Sequence, residues 1–210
     1  MKTWKKLTVI GVLLGCSSLL YAQSASQQLR DFVGQVEAAT GAFSQRTVDA
    51  QGRQRPAQTG EFAFKRPGQF KWQVLQPYEQ LVLSDGEQLY QYDPDLNQLT
   101  QRSVNEAIGA SPAAILFGAG QLDQSFTLSD RPDAEGLNWL RAKPKAADAG
   151  FEYVDIGFDA VTTRPVRLIL LDAFGQQTLI DLADINTTVT LQARDFSFTP
   201  PADVDVVTWP

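Results

Sequence analysis

The chain has 210 residues, of which 43% are hydrophobic and 20% are charged, which suits one globular domain with a sizeable core. It contains no histidine, its single cysteine is Cys16, its single methionine is Met1, and its formal net charge is −6. These features exclude Ser-His-Asp and Cys-His catalytic units, a disulfide framework and imidazole-based metal sites, and they argue against a nucleic-acid partner. We therefore expect no metal and no cofactor.

Residues 1–22 have the three parts of a secretory signal peptide. The first six residues include three lysines, a mostly apolar stretch follows, and Leu20-Tyr21-Ala22 is a small-residue cleavage site. Cleavage after Ala22 removes those three lysines and changes the net charge from −6 to −9. We expect residues 23–210 to form a single domain in the periplasm.

A second interpretation of the N-terminus remains open. Leu13-Leu14-Gly15-Cys16 resembles a lipobox, in which Cys16 would be lipidated and become the new N-terminus. Leu14 is bulky for that position, and apolar residues resume at 19–21. Simple cleavage is therefore favoured, and the alternative is a chain anchored through Cys16.

One helix is predicted near the start of the mature chain, because apolar residues recur there at helical spacing. Ser26 is available as its N-cap, and Gly41 lies just past its end. The apolar residues are Leu29, Phe32, Val33 and Val36.

Short alternating runs separated by turn residues follow from Phe43 onward and predict a meandering antiparallel sheet. The predicted strands are 58–65, 69–75, 80–83, 88–92, 137–143, 151–158, 165–171, 177–182 and 189–198. Between the two groups, the small and apolar residues of 104–120 predict one or two short helices. Segments 130–136 and 143–150 are expected to be exposed loops.

Basic side chains are concentrated in residues 46–71, which hold six of them against two acidic ones. Such a region could dock an acidic partner or an anionic membrane surface. A solvated hairpin edge that charge protects from aggregation is an equal alternative. The basic residues are Arg46, Arg53, Arg55, Lys65, Arg66 and Lys71.

Aromatic residues alternate along two neighbouring predicted strands. Phe62 and Phe64 share one face of the first strand, and Phe70 and Trp72 share one face of the next. Such residues usually fill a core. An antiparallel sheet with few helices could also leave a partly open apolar pocket for a ligand.

A set of motifs is spread over the mature chain. The motifs are Lys65-Arg66-Pro67 with Phe70 and Trp72, Ser84-Asp85-Gly86 with Leu89-Tyr90, and the segments 43–45 and 196–201. Together they resemble the outer-membrane lipoprotein carrier protein family, LolA, of Gram-negative bacteria. The segment around Ala113-Ala114 departs from the family, which tends to have bulkier residues there.

The resemblance implies a mainly β fold with a few α-helices. The family fold is an unclosed antiparallel β-barrel, a curved sheet whose concave apolar face is covered by a helical lid. The implied function is that of a non-enzymatic periplasmic chaperone, expected to be a monomer. Its cargo would be acylated lipoproteins, taken from an inner-membrane ABC exporter of the LolCDE type to an outer-membrane receptor of the LolB type.

The resemblance also implies roles for individual residues. Arg66 corresponds to a family arginine that bonds lid backbone carbonyls and holds the closed state. Phe70 and Trp72 are expected on the cavity wall, and Ile115, Leu116 and Phe117 in the lid. Alternation alone does not tell which strand face is concave, so the further cavity candidates are Phe62, Phe64, Leu81, Leu83, Tyr90 and Trp139. An outer-membrane-anchored receptor, or another lipid-binding protein of the same fold, remains the alternative.

Overall fold

The computed structural model describes residues 23–104, 115–116, 122–147 and 149–208. The expected signal peptide, Phe117 and most of the predicted helical segment 104–120 lie outside the described residues. Within the described ranges, no helix is both long enough and apolar enough to cross a membrane.

The first helix, α1, spans Ala25–Gln35 and buries the predicted apolar residues up to Val33. Its N-cap is Ser24, whose side chain accepts a hydrogen bond from the Gln27 backbone N–H at 3.3 Å. The prediction of Ser26 as the cap is therefore wrong by two residues. Ser26 lies in the first turn, where its backbone N–H and its hydroxyl donate to the Asp130 carboxylate at 2.8 and 3.0 Å.

The described residues form twelve strands and a second, short helix, α2, at Leu122–Ser125. The strands are β1 Ala38–Val48, β2 Gln58–Lys65, β3 Gln69–Gln76, β4 Gln80–Asp85, β5 Gln88–Asp93, β6 Gln98–Ser103, β7 Phe126–Ala134, β8 Leu137–Pro144, β9 Phe151–Asp159, β10 Pro165–Asp172, β11 Gln177–Asn186 and β12 Asp205–Thr208. They form one unclosed, curved sheet in the order β12-β6-β5-β4-β3-β2-β1-β11-β10-β9-β8-β7. Neighbouring strands are antiparallel except for the parallel pair of β12 and β6. The mainly β, unclosed fold is thus confirmed.

Eight of the nine predicted strands are present, and the ninth is wrong. Segment 189–198 has no strand and contains a 3₁₀ helix at Ala193–Phe196. Residues 130–134, expected in a loop, belong to β7, an edge strand whose side chains are mostly exposed. An edge strand with both faces exposed to solvent shows no apolar alternation, so its sequence does not distinguish it from a loop.

The sequence predicts that Gly41 lies just past the end of α1, but in the structure it lies within β1. A Cβ atom at this position would be 2.5 Å from the Phe62 ring and 2.9 Å from the Ala183 carbonyl oxygen. The glycine is therefore needed for close approach of neighbouring groups rather than for helix termination.

Strand register assigns side chains to two faces, because residues directly opposite each other in a pair point to the same side. Phe64 pairs with Phe70, and Phe62 pairs with Trp72. The Phe64 ring also meets the Phe32 ring of α1, with centroids 6.1 Å apart. We call this helix-covered side the inner face and the opposite side the outer face.

The outer face is covered in part by the C-terminal segment. The 3₁₀ helix packs against β3 and β4, and its Phe196 is fully buried. Two residues further on, the Phe198 ring lies 6.0 Å from Tyr90 and 5.3 Å from Tyr92. The sheet therefore has a second, smaller apolar cluster on its outer side.

Replacement of Phe196 by leucine should lower the free energy of unfolding by about 1–2 kcal/mol, because it removes buried ring atoms from a closed site. Urea denaturation of the purified protein measures this difference. Val206→Ala, at a half-exposed position on β12, is the control and should change stability by less than about 0.5 kcal/mol. Equal effects of the two substitutions would contradict the packing of the C-terminal segment.

Candidate functional site

Arg66 lies in the turn between β2 and β3, where it joins two covering elements. Its backbone N–H donates to the Glu37 carbonyl at 2.8 Å. Its side-chain Nε donates to the Val36 carbonyl at 2.9 Å, and Nη2 donates to the Leu116 carbonyl at 2.5 Å. One guanidinium group thus links the C-terminal end of α1 to a residue of the predicted lid.

The surroundings of this guanidinium act on its charge in two opposite ways. Its central carbon lies 4.9 Å from the centroid of the Phe64 ring, a cation–π contact that favours the charged form. Burial is the cause that lowers the pKa of Arg66 to about 10. The side chain still carries its proton at neutral pH, so the link remains a charged one, but desolvation opposes it.

Beneath this link is a set of five inner-face aromatic side chains, which we call the aromatic floor. Phe43 and Trp72 are stacked with ring centroids 3.8 Å apart, and Phe62 and Trp72 are stacked at 6.0 Å. Four of the five are buried, and Trp72 is the half-buried one. The members are Phe43, Phe62, Phe64, Phe70 and Trp72.

The aromatic floor depends on a glycine opposite Phe43. Gly60 pairs with Phe43 across β1 and β2. A Cβ atom on Gly60 would be 2.0 Å from the Gln73 carbonyl oxygen and 2.6 Å from the Phe43 ring. No other residue type leaves room for the ring at this position.

The Ser84-Asp85-Gly86 motif supports the turn that carries Arg66. The Ser84 hydroxyl is buried and donates to the Gly68 carbonyl at 2.7 Å. Gly68 and Gly86 have φ values of +75° and +105°, and their backbones lie side by side. The two motifs of the sequence therefore meet as neighbouring turns, and the second one positions the first.

Three of the predicted cavity residues lie on the other side of the sheet. Leu83 pairs with Lys71 on β3 and with Tyr90 on β5, and Leu81 has the same orientation as Leu83. All three therefore face outward, toward the C-terminal segment. The inner-face positions at this point are Val82, opposite Trp72, and Leu89, opposite Ser84.

Trp139 is also on the outer face. It pairs with Gly157, and its ring atoms lie where a side chain on Gly157 would be. Its indole N–H donates to the Ala134 carbonyl at 3.1 Å. The expectation of a cavity role for this tryptophan is thus corrected, because the inner-face residue next to it is Leu140.

The predicted lid is described only at Ile115 and Leu116. Both residues are helical, both are buried, and both belong to the same apolar cluster as the aromatic floor. Phe117, the third predicted lid residue, lies outside the described residues.

The basic residues of 46–71 are dispersed rather than gathered in one patch. Arg53 pairs with Asp49 in the loop before β2, whereas Arg66 lies at the opposite end of that strand. Lys65 extends to the outer face, where its Nζ donates to the Leu191 carbonyl at 2.9 Å. This arrangement favours local structural roles over a single docking surface.

Comparison with known proteins extends this description. The family model "Outer membrane lipoprotein carrier protein LolA" matches residues 34–199. An outer-membrane lipoprotein carrier protein of Bordetella avium is 56% identical over 96% of each chain. Proteins with the same description from Bordetella pertussis and Dechloromonas aromatica are 54% and 42% identical, over 96% and 90% of this chain and 94% and 90% of theirs.

Solved structures show the same fold at low sequence identity. A LolA superfamily protein from Nitrosomonas europaea aligns over 84% of this chain and 97% of its own, with 12% identity and a TM-score of 0.51. An uncharacterized conserved protein from Thermus thermophilus aligns over 89% of this chain and all of its own, with 15% identity and a TM-score of 0.53. The family model and the curated relatives lead to one conclusion: the chain belongs to the outer membrane lipoprotein carrier protein LolA family.

Proposed function

We propose that this protein carries acylated lipoproteins across the periplasm without catalysing a reaction. The donor would be an inner-membrane ABC exporter of the LolCDE type, and the acceptor an outer-membrane receptor of the LolB type. The observation that carries the proposal is the charged link from Arg66 to Val36 and Leu116 above an aromatic floor. The description of the curated relatives as lipoprotein carriers supports it.

An apolar surface beneath a removable cover meets the physical requirements of a lipid carrier. Each methylene group removed from water is worth about 0.8 kcal/mol, so acyl chains need a covered site during transit. The aromatic floor offers ring surface for this purpose, and half-buried Trp72 is its most accessible member.

Release requires a cover whose closed state is only moderately stable. The Arg66 link consists of a few hydrogen bonds made by a guanidinium group that burial penalises. A cargo can shift such an equilibrium by its differential affinity for the open form. We therefore assign Arg66 the role of a latch that closes when cargo leaves.

The chemistry of the side chains supports a carrier over an enzyme. Within the described part of the chain, no three His, Cys, Asp or Glu side chains are grouped so that they could hold a metal ion. The whole chain lacks histidine, the most frequent general acid–base residue.

Two tryptophans on opposite faces allow a matched test of the proposal. The wild-type protein, purified from the periplasm and analysed by native mass spectrometry, should carry acylated lipoprotein. Trp72→Ala should reduce the loaded fraction about tenfold, since it removes inner-face ring surface worth more than 1.4 kcal/mol. Trp139→Ala, on the outer face, should leave the loaded fraction of folded protein unchanged.

Circular dichroism establishes the folded fraction of each variant before loading is compared. A wild-type protein that never acquires acylated cargo, in cells or from a purified lipopeptide, would overturn the proposed function. Equal losses for the two tryptophan variants would overturn the assignment of the inner face as the binding surface.

The alternative function is that of an anchored receptor with the same fold, which the Leu13-Leu14-Gly15-Cys16 segment favours. Intact-mass measurement of the exported protein distinguishes the two. A mass that begins at Gln23 supports the soluble carrier, and a mass with lipid on Cys16 supports the receptor.

A further inference from the structure

The inner face changes character along the strands. Near Arg66 it consists of the aromatic floor, but beyond Phe43 the next two inner-face positions on β1 are Gln45 and Thr47. Their partners across the neighbouring strands are Gln58 on β2 and Thr178 on β11. We call these four side chains, Gln45, Thr47, Gln58 and Thr178, the polar band.

The members of the polar band bond to each other in pairs. Nε2 of Gln45 donates to Oε1 of Gln58 at 2.9 Å, and the hydroxyl oxygens of Thr47 and Thr178 are 3.2 Å apart. Both threonines are more than nine-tenths buried, at 9% and 8% exposure. Each pair has an apolar neighbour on the same face, since Ile180 lies opposite Gln45 and Leu170 lies opposite Thr178.

Proton counting shows that these pairs retain donor capacity. Two hydroxyls carry two protons, and a single hydrogen bond between them uses one. Two carboxamides carry four N–H protons, of which the bond between Gln45 and Gln58 uses one. The polar band can therefore donate to acceptors that come to lie on the inner face.

An acylated lipoprotein contains hydrogen-bond acceptors that could pair with the polar band. Its N-terminal cysteine carries acyl chains through ester and amide carbonyls, so each hydrocarbon chain ends in a carbonyl oxygen. The inner face has the same order of properties as such a chain. The aromatic floor is apolar like the hydrocarbon, and the adjacent polar band can donate hydrogen bonds to the carbonyl.

The length of the inner face also suits an acyl chain. From Gln58 to Lys65 strand β2 makes seven residue steps, about 23 Å at 3.3 Å per residue. One leaflet accounts for half of a hydrocarbon core of about 30 Å, so an acyl chain extends over about 15 Å. A chain held by its carbonyl at the polar band thus ends over the aromatic floor, before the turn that carries Arg66.

We infer that the polar band binds the ester and amide carbonyls of the acylated N-terminal cysteine, with the hydrocarbon chains directed over the aromatic floor toward Arg66. The inference rests on the proposed function and deepens it, because it assigns an orientation to the cargo and a specificity to the site. The band distinguishes an acylated cysteine from plain hydrocarbon.

The test compares two probes on one set of variants. The probes are a synthetic tripalmitoylated cysteinyl peptide and diphenylhexatriene, a hydrocarbon without polar atoms. The double variant Thr47→Val/Thr178→Val keeps side-chain volume and removes both hydroxyls. Its Kd for the lipopeptide should rise about tenfold, which equals 1.4 kcal/mol, while its Kd for diphenylhexatriene should change less than threefold.

Gln58→Leu is a second variant that acts at the half-buried pair, and it should weaken lipopeptide binding in the same selective way. Thr59→Val is the matched control, because Thr59 is the next residue on β2 but is exposed on the outer face. It should leave the affinities for both probes unchanged.

The outcomes separate this inference from the proposed function. Wild-type protein that binds the lipopeptide, with variants that bind it equally well or lose both probes equally, overturns the polar band alone. Wild-type protein that binds neither probe overturns the carrier function and the inference together.

Discussion

Replacement of Arg66 by leucine should leave the protein folded and able to take up cargo, but should slow transfer of that cargo to a receptor at least tenfold. The substitution removes the donors to the Val36 and Leu116 carbonyls. Hydrogen bonds from a charged donor are worth about 1.5–3 kcal/mol each, and one such bond corresponds to a tenfold effect or more. In the variant, the closed state of the empty protein is less stable by this free energy.

The thermodynamic reason concerns the empty state. Apparent cargo affinity is the intrinsic affinity of the open form multiplied by the fraction of protein that is open. A latch lowers that fraction and thereby promotes release. Without it the open form dominates, cargo binds more tightly, and the acceptor cannot remove it.

The measurement is a transfer assay with purified, lipopeptide-loaded protein and receptor. Arg66→Lys keeps the charge but not the planar fork, so it should give an intermediate rate. Arg55→Leu, at an exposed position in the loop after β1, is the control and should transfer at the wild-type rate. Wild-type transfer by Arg66→Leu would exclude the latch role.

Replacement of Gly60 by alanine should lower the free energy of unfolding by about 3 kcal/mol, at the upper end of what added core volume costs. The added methyl group would be 2.0 Å from the Gln73 carbonyl oxygen, which belongs to the neighbouring strand and cannot rotate away. Strands β2 and β3 must separate, and the stacked rings of Phe43 and Trp72 must move with them.

A second glycine gives a control of opposite sign. Gly34 lies in α1 with nothing within 4 Å of the position of a Cβ atom. Gly34→Ala should therefore stabilise the protein by about 0.5–1 kcal/mol, because alanine favours the helix. Urea denaturation of both variants checks the pair, and a neutral Gly60→Ala would show that the floor tolerates extra volume.

Much of the fold follows from local patterns in the sequence. Turn residues such as Arg66-Pro67-Gly68 separate alternating runs clearly, and eight predicted strands are present as a result. The edge strands are harder to predict. β7 lacks a buried face along most of its length, and among the described strands β12 pairs with β6 alone.

The choice of face could not be predicted from alternation. Leu81, Val82 and Leu83 are consecutive apolar residues, because β4 is covered on both sides: by the inner core and by the C-terminal segment. A strand covered on both faces loses its period of two. Assigning Val82 rather than Leu83 to the inner face requires the register with Trp72.

The partners of Arg66 are also beyond local prediction. Family resemblance singled out this residue, but the carbonyls that it binds belong to Val36 and Leu116, 30 and 50 residues away along the chain. The polar band was not predicted at all. Its four members are ordinary polar residues in sequence, and only strand pairing brings them together on an apolar face.

The adjacent residues Lys65 and Arg66 make hydrogen bonds on opposite faces of the sheet. Lys65 donates to the Leu191 carbonyl of the C-terminal segment on the outer face, and Arg66 donates to the Leu116 carbonyl on the inner face. Because one backbone connects the two side chains, a shift of this turn strains both attachments together. The turn between β2 and β3 is thus a mechanical junction that couples the inner face of the sheet to the C-terminal segment on its outer face.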